Sequence, residues 1–156
     1  MKSRSSRGAG PRLRLALQNP ARSRSLPPAA RFRRWARAAL ERDADITLRV
    51  VGEPEGRRLN RDFRGSDHAT NVLTFVYGER APLAGDIVLC APVVRREARS
   101  RGIAAEAHYA HLTVHGTLHL QGYDHVRRRE TEAMEALESR ILLRLGYADP
   151  HAGDEG

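Results

Sequence analysis

The chain has 156 residues, with 27 lysines and arginines against 19 aspartates and glutamates, and a formal net charge of +8. This length suits one domain, and no apolar run approaches the ~18–20 residues of a membrane span, which excludes a transmembrane protein. Its single cysteine, Cys90, has no partner within the chain, which excludes a disulfide-stapled secreted module. The sequence therefore predicts one cytoplasmic globular domain.

The positive charge is concentrated at the front of the chain. Residues 1–42 carry twelve cationic side chains and one anionic side chain, whereas residues 43–156 carry fifteen against eighteen. A basic segment suits a polyanionic partner such as nucleic acid, because neutralised phosphates release counterions. A coding bias toward arginine explains the excess equally well, since Lys2 is the only lysine.

Hydrophobic periodicity predicts four strands and five helices. Residues 1–11 predict a disordered basic tail and residues 148–156 a flexible C-terminal tail, which leaves residues 12–147 as the domain. The predicted strands begin at Leu13, Ile46, Val72 and Asp86, and the predicted helices begin near Pro27, Glu53, Pro92, Ala104 and Val126. The last helix has Met134, Leu137, Ile141 and Leu145 as its apolar stripe. This order indicates an α+β single domain with a small mixed four-stranded sheet and packed helices.

Five of the seven histidines lie between residues 108 and 125, and the segment 115–125 reads HGTLHLQGYDH. His115 and His119 are four residues apart on a predicted helix, so both rings project from one face. Gly122 permits a chain reversal that brings His125 back toward that face. Three imidazoles around Zn²⁺ leave one position open, as in catalytic zinc sites. The spacing therefore predicts a zincin-like metal-binding helix.

One position separates this pattern from the metzincin proteases, which share the histidine spacing. Those enzymes place a glutamate directly after the first histidine as general base. Here that position is Gly116, which has no side chain to accept a proton. A peptide hydrolase built on this site would lack its usual base, so the pattern disfavours a protease, and a zincin-type metalloprotease remains as an alternative.

The segment 115–125 resembles the signature of the YbeY family, bacterial metallo-endoribonucleases of ribosomal RNA maturation. Two further blocks, 59–75 (LNRDFRGSDHATNVLTF) and 85–89 (GDIVL), are similar to the family's sequence in the same order. Ala69 and Thr74 replace a proline and a serine that are frequent in the family. The resemblance covers roughly residues 13–146 and does not extend to the basic residues 1–12.

This resemblance implies one zinc per chain, held by His115, His119 and His125, and a functional arginine at Arg64. A guanidinium in that place suits a phosphate, which it binds with two parallel hydrogen bonds. The alternative for Arg64 is a structural ion pair with Asp62 or Asp67.

Six further residues are candidates for the site. Asp86 and His111 are candidate partners of the metal-binding histidines, and Asp124 is a candidate base or partner. Asp86 also suits a turn, and Asp124 also suits the cap of the last helix. The remaining candidates are Arg127, Arg128 and Arg129, which stand at the start of the last helix. The helix dipole disfavours cations there, which indicates that they contact RNA. The alternative is that they only face solvent.

Together with the three-histidine site, the resemblance implies a zinc-dependent endoribonuclease that cuts single-stranded RNA during 16S rRNA 3′-end maturation and ribosome quality control. Its expected partners are an rRNA precursor and the ribosome or small subunit with its assembly factors, and no membrane. Attack by water and attack by the ribose 2′-OH both remain open. A non-catalytic ribosome-assembly factor with a structural zinc is the second alternative.

Overall fold

The computed structural model describes residues 10–78, 80, 82–123 and 127–152. Its strands are β1 (Leu13–Gln18), β2 (Ala44–Val51), β3 (Val72–Gly78) and β4 (Leu83–Cys90). Its helices are α1 (Ala29–Ala38), α2 (Glu53–Arg64), α3 (Ala91–Arg101), α4 (Ala105–Leu120) and α5 (Arg128–Leu145). The predicted α+β fold with a mixed four-stranded sheet is confirmed.

The strands form one sheet in the order β1-β2-β4-β3. β1, β2 and β4 run parallel, while β3 pairs with β4 in the antiparallel direction and lies at an edge of the sheet. Helices connect the parallel strands, as the crossover between parallel neighbours requires. The first residues of strand β3, Val72 to Thr74, line the cavity described below.

The main core lies between one face of the sheet and helices α1, α4 and α5. Leu48 and Ile87 from the sheet, together with Trp35 and Phe32 from α1, are fully buried there. Helix α4 is at the centre of this layer, and ten of its sixteen residues are buried. A helix that is buried on most of its sides has apolar residues all around it rather than in a single stripe. The histidines of α4 therefore stand among leucines and alanines in the sequence.

Two glycines allow α4 to lie close against β4. A Cβ atom at Gly116 would lie 3.1–3.3 Å from carbon atoms of Ile87, and one at Gly85 would lie 2.7 Å from a methyl carbon of Leu120. Both contacts place backbone directly against a neighbouring side chain. The histidine helix is therefore held at a fixed distance from the sheet.

Several boundaries differ from the sequence-based prediction. β4 begins at Leu83 rather than Asp86, because parallel pairing with β2 starts at Ala44 opposite Leu83. α1 begins at Ala29 rather than near Pro27, and α5 begins at Arg128 rather than near Val126. Among the described residues, no helix is long and apolar enough to cross a membrane.

The described part of the predicted C-terminal tail makes specific contacts with the domain. The Asp149 carboxylate accepts hydrogen bonds from the Ser139 hydroxyl at 2.5 Å and from the His151 backbone N–H at 2.9 Å. Arg101 donates a hydrogen bond to the carbonyl of Pro150 at 3.0 Å. Residues 149–151 thus fold back onto α3 and α5.

Candidate metal centre

Helix α4 presents His115 and His119 to one cavity of about 470 Å³. The two residues are one helical turn apart, and their ring centroids are separated by 6.2 Å with the ring planes tilted by 31°. About a quarter of the His115 side chain is exposed to solvent. The structure thus brings together the two predicted ligands that lie on this helix.

The Nδ1 atom of each histidine contacts a side chain from a neighbouring element. Thr74 Oγ1, on β3, lies 3.0 Å from Nδ1 of His119. Glu138 Oε2, on α5, lies 2.5 Å from Nδ1 of His115. Nδ1 and Nε2 lie on opposite sides of an imidazole ring. Nε2 of each histidine therefore points away from the side chain that contacts Nδ1. Such partners commonly fix the orientation of histidines that bind metals.

Glu138 is a buried carboxylate in the apolar stripe of α5. Its side chain is 2% exposed, and it stands between the buried residues Met134 and Ile141 on the same helix. Burial by itself raises the pKa of this carboxyl, but hydrogen bonds from His111 and His115 outweigh burial and hold the pKa well below its usual range. Glu138 is therefore ionised at neutral pH.

The second oxygen of Glu138 contacts two further imidazoles. Oε1 lies 3.0 Å from Nε2 of His111 and 2.7 Å from Nε2 of His151. Within the described residues, His111, Glu138 and His151 also form a group whose potential metal-binding atoms all lie within 4.8 Å of one another. These three side chains and His115 line a second cavity of about 230 Å³.

Arg64 lines the same cavity as His115 and His119, at the C-terminal end of α2. Gly65 follows in the left-handed conformation, with φ +79°, and ends the helix. Asp67 receives two hydrogen bonds from Arg57, at 2.8 and 2.9 Å, and Asp62 is paired with Arg61. Within the described part of the chain, neither acid pairs with Arg64, so the ion pairs considered for it are formed by other arginines.

The loop after α2 supplies the polar wall of this cavity. Asn60 is buried, and its side-chain amide donates a hydrogen bond to the carbonyl of His68 at 2.8 Å. The Ser66 backbone N–H donates to the carbonyl of Asn60. Asn60 thereby fixes the loop against the helix that carries Arg64. The cavity walls include the loop residues Ser66, His68, Thr70 and Asn71.

The other candidate residues lie in different surroundings. Asp86 accepts a hydrogen bond from the Tyr77 hydroxyl at 2.7 Å, and strand alternation places it on the sheet face opposite Ile87, which packs against α4. Arg127, Arg128 and Arg129 are exposed at the start of α5, where Arg128 pairs with Glu132 at 3.4 Å. Asp124 and His125 lie outside the described residues.

Glu138, Thr74 and His151 are absent from the sequence-based set of site residues, although Thr74 lies in a block that supports the resemblance. For Glu138 a signal is present: a lone glutamate occupies the apolar stripe of a helix in a chain with a histidine-rich helix. No comparable local signal marks Thr74 or His151, because their roles depend on contacts between distant segments.

Comparisons with known proteins identify the family to which this chain is similar. The family model described as Endoribonuclease YbeY matches residues 21–146. An endoribonuclease YbeY of Aromatoleum aromaticum is 61% identical over 138 residues, which cover 88% of each chain. One from Methylobacillus flagellatus is 54% identical over 145 residues, covering 93% of this chain and 97% of the relative.

A solved structure shows the same fold. The solution structure of a Thermotoga maritima protein has a TM-score of 0.52 and 24% sequence identity, and the likeness covers 85% of this chain and 91% of that one. The family model and the two relatives confirm the resemblance seen in the sequence. The chain belongs to the Endoribonuclease YbeY family.

Proposed function

We propose that this chain is a zinc-dependent endoribonuclease that cuts single-stranded RNA. The observation that carries the proposal is that one cavity is lined by His115, His119 and Arg64. The two histidines are potential metal ligands, and the arginine is a cation suited to phosphate. Relatives that bear the name Endoribonuclease YbeY support the reaction class, hydrolysis or transesterification of an RNA phosphodiester. RNA is accordingly the proposed partner.

The residues of the cavity fit a zinc ion. Imidazole nitrogen is an ordinary zinc ligand, and the contacts of Glu138 and Thr74 at Nδ1 leave Nε2 as the ligating nitrogen of His115 and His119. The third ligand in this proposal is His125, which follows α4 in the sequence. When bound, zinc supplies Lewis acidity at a phosphoryl oxygen.

Arg64 supplies a permanent positive charge beside the two histidines. Its planar guanidinium can donate two parallel hydrogen bonds to a phosphate, which both orients the scissile group and stabilises the charge that develops on it. The polar loop residues beside it, held by Asn60, offer further hydrogen-bonding groups to the RNA backbone. We therefore assign Arg64 a catalytic role.

The protease alternative is disfavoured by the surroundings of Gly116. A side chain at this position would meet Ile87 on β4, so it would point into the interface between helix and sheet. The position that carries the general base in the metzincin pattern thus faces the core in this chain.

The cellular role is proposed from the resemblance to the family. We propose that the substrate is an rRNA precursor, that cleavage contributes to 16S rRNA 3′-end maturation and ribosome quality control, and that the partners are the small subunit or ribosome with its assembly factors. These steps occur in the cytoplasm. The exposed arginines 127–129 are the proposed contact with RNA beside the metal centre.

Metal analysis combined with RNA cleavage tests this function. Wild type should contain about one zinc per chain, His119→Ala should lose zinc and cleavage, and Arg64→Ala should keep zinc and lose cleavage. Arg58→Ala, an exposed arginine on the same helix, is the matched control and should resemble wild type. Full cleavage by both His119→Ala and Arg64→Ala would contradict the proposal, as would zinc-independent cleavage by wild type.

The ends of the products distinguish the two routes of attack. Attack by the ribose 2′-OH leaves a 2′,3′-cyclic phosphate, whereas attack by water does not. A cleavage assay on a defined single-stranded oligonucleotide, compared with the same strand in a duplex, also tests the preference for single strands.

A further inference from the structure

Among the described residues of α5, Glu138 is the one buried glutamate. Its charge needs compensation from neighbouring groups. A carboxylate that is removed from water is costly unless hydrogen-bond donors replace the water. Here three imidazoles surround it: His115 at Oε2, and His111 and His151 at Oε1. We call Glu138 and these three histidines the Glu138 cluster.

The distances within the cluster are those of hydrogen bonds. The Nε2 atoms of His111 and His151 lie 3.0 and 2.7 Å from the same carboxylate oxygen, which suits two N–H donors and one acceptor. These two donors already replace the water that the carboxylate loses on burial, so its charge needs no cation for compensation. The group therefore fits a hydrogen-bonded support better than a second metal site.

The support reaches His115 through the other oxygen. A carboxylate accepts but does not donate, so its contact at 2.5 Å requires that Nδ1 of His115 carry a proton. That tautomer leaves the lone pair on Nε2, the nitrogen that a metal ligand needs. The contact also fixes the rotation of the ring.

His151 ties this support to the end of the chain. Its backbone N–H is held by Asp149, which also binds Ser139 on α5, and its ring contacts Oε1 of Glu138. The segment therefore closes one side of the 230 Å³ cavity that the cluster lines.

We propose that Glu138 is a positioning residue that holds His115 in the Nδ1–H tautomer for metal binding, and that His151 completes this support from the C-terminal segment. The inference rests on the proposed function, since it takes His115 as a zinc ligand. It assigns Glu138 and His151 no contact with the substrate.

Zinc affinity and the tautomer of His115 test the proposal together. Glu138→Gln should weaken zinc binding about 10- to 100-fold in a chelator competition assay, the range for removal of a partner behind a metal ligand. His151→Ala should weaken it about 2- to 10-fold, the size of one hydrogen bond. Glu135→Gln makes the same chemical change one turn earlier on α5, in the wall of the same cavity, and should bind zinc as wild type does.

The tautomer is measured without metal. In ¹⁵N spectra of the metal-free protein, wild type and Glu135→Gln should show His115 as the Nδ1–H form, and Glu138→Gln should show a mixture with the Nε2–H form. If urea titrations show that Glu138→Gln is unfolded, His151→Ala carries the test. Its substitution lies in the C-terminal segment, outside the helices of the core.

Three results would overturn the inference. Unchanged zinc affinity in both variants is one, and a pure Nδ1–H form of His115 in Glu138→Gln is another. Two zinc ions per wild-type chain, falling to one in His151→Ala, would identify the cluster as a metal site instead. Absence of zinc binding by wild type would contradict the proposed function, while the tautomer of the metal-free protein would still support or contradict the role of Glu138.

Discussion

Thr74 Oγ1 lies 3.0 Å from Nδ1 of His119, a contact that joins the edge strand β3 to the central helix α4. Thr74 stands where the family frequently has serine, and both residues offer a hydroxyl. With Nε2 directed to a metal, Nδ1 carries the proton and donates a hydrogen bond to the hydroxyl oxygen of Thr74. The strand thus supports one proposed ligand as Glu138 supports the other.

We expect Thr74→Val to weaken zinc binding by about 10-fold, because valine keeps the shape of the side chain and removes the acceptor. Thr74→Ser should retain most of the affinity. Thr70→Val, which removes a hydroxyl from the wall of the same cavity, is the control. Equal zinc dissociation constants for Thr74→Val and Thr70→Val would contradict this role.

Arg64→Lys should lower the cleavage rate at saturating RNA by roughly 10²- to 10³-fold, with zinc content unchanged. The reason is that a lysine keeps the charge but loses the planar pair of donors that orients a phosphate. Single-turnover kinetics with excess enzyme provide the measurement. A rate within a factor of two of the Arg58→Lys control would show that Arg64 acts only through its charge or not at all.

RNA binding should weaken steeply with added salt, because only 5% of the residues are aromatic and phosphate contacts then supply most of the affinity. Replacing Arg127, Arg128 and Arg129 with glutamine should make the slope of log affinity against log salt shallower, by about 0.7 for each phosphate that is no longer neutralised. Fluorescence anisotropy with a single-stranded oligonucleotide measures the slope. A flat titration for wild type would remove the electrostatic explanation.

His108 should make the stability of the protein depend on pH. Burial lowers its pKa from the ordinary value of 6.5, although the hydrogen bond with Glu97 opposes this effect. The unfolded chain therefore binds the proton more readily, and the free energy of unfolding falls as the pH drops below about 6.5. Urea titrations between pH 5 and 8 should show a shallower decline for His108→Gln than for wild type. Parallel declines would contradict the prediction.

Gly85→Ala should destabilise the protein by about 1–3 kcal/mol, the cost of overpacking. The new Cβ would lie 2.7 Å from both the carbonyl oxygen of Phe75 and a methyl carbon of Leu120. Thermal unfolding should show a Tm lower than that of wild type. Gly78→Ala is the control in the same sheet, because a Cβ there meets no atom within 4 Å. Similar Tm values for the two variants would contradict the prediction and show that both Leu120 and the backbone of β3 at Phe75 can move away from position 85.

Much of the fold could be predicted because its signals are local. The alternation of Leu13, Leu15 and Leu17 marks β1, and glycines in the left-handed conformation, such as Gly102 and Gly146, follow helix ends as expected. The start of β4 could not be predicted, because its first residues become strand only through pairing with β2. Strand pairing is a contact between distant segments and leaves little trace in the residues themselves.

The candidate site divides in the same way. His115, His119 and Arg64 could be proposed from spacing and from family motifs, and the structure places all three around one cavity. The supporting residues could not be found in this way, since His151 approaches Glu138 only because the chain turns back after α5. The role of His125 stays a prediction, because this residue lies outside the described part of the chain.

The burial of α4 on most of its sides has a consequence for local motion in the protein. Its central amides can exchange with solvent only when much of the core opens, whereas the exposed end of α2 that carries Arg64 can fray locally. We therefore expect the central amides of α4, which carries the proposed zinc ligands, to exchange more slowly than those at the end of α2, which carries Arg64. The proposed zinc ligands thus lie on a nearly rigid helix, while the proposed phosphate contact lies on a helix end that keeps local freedom.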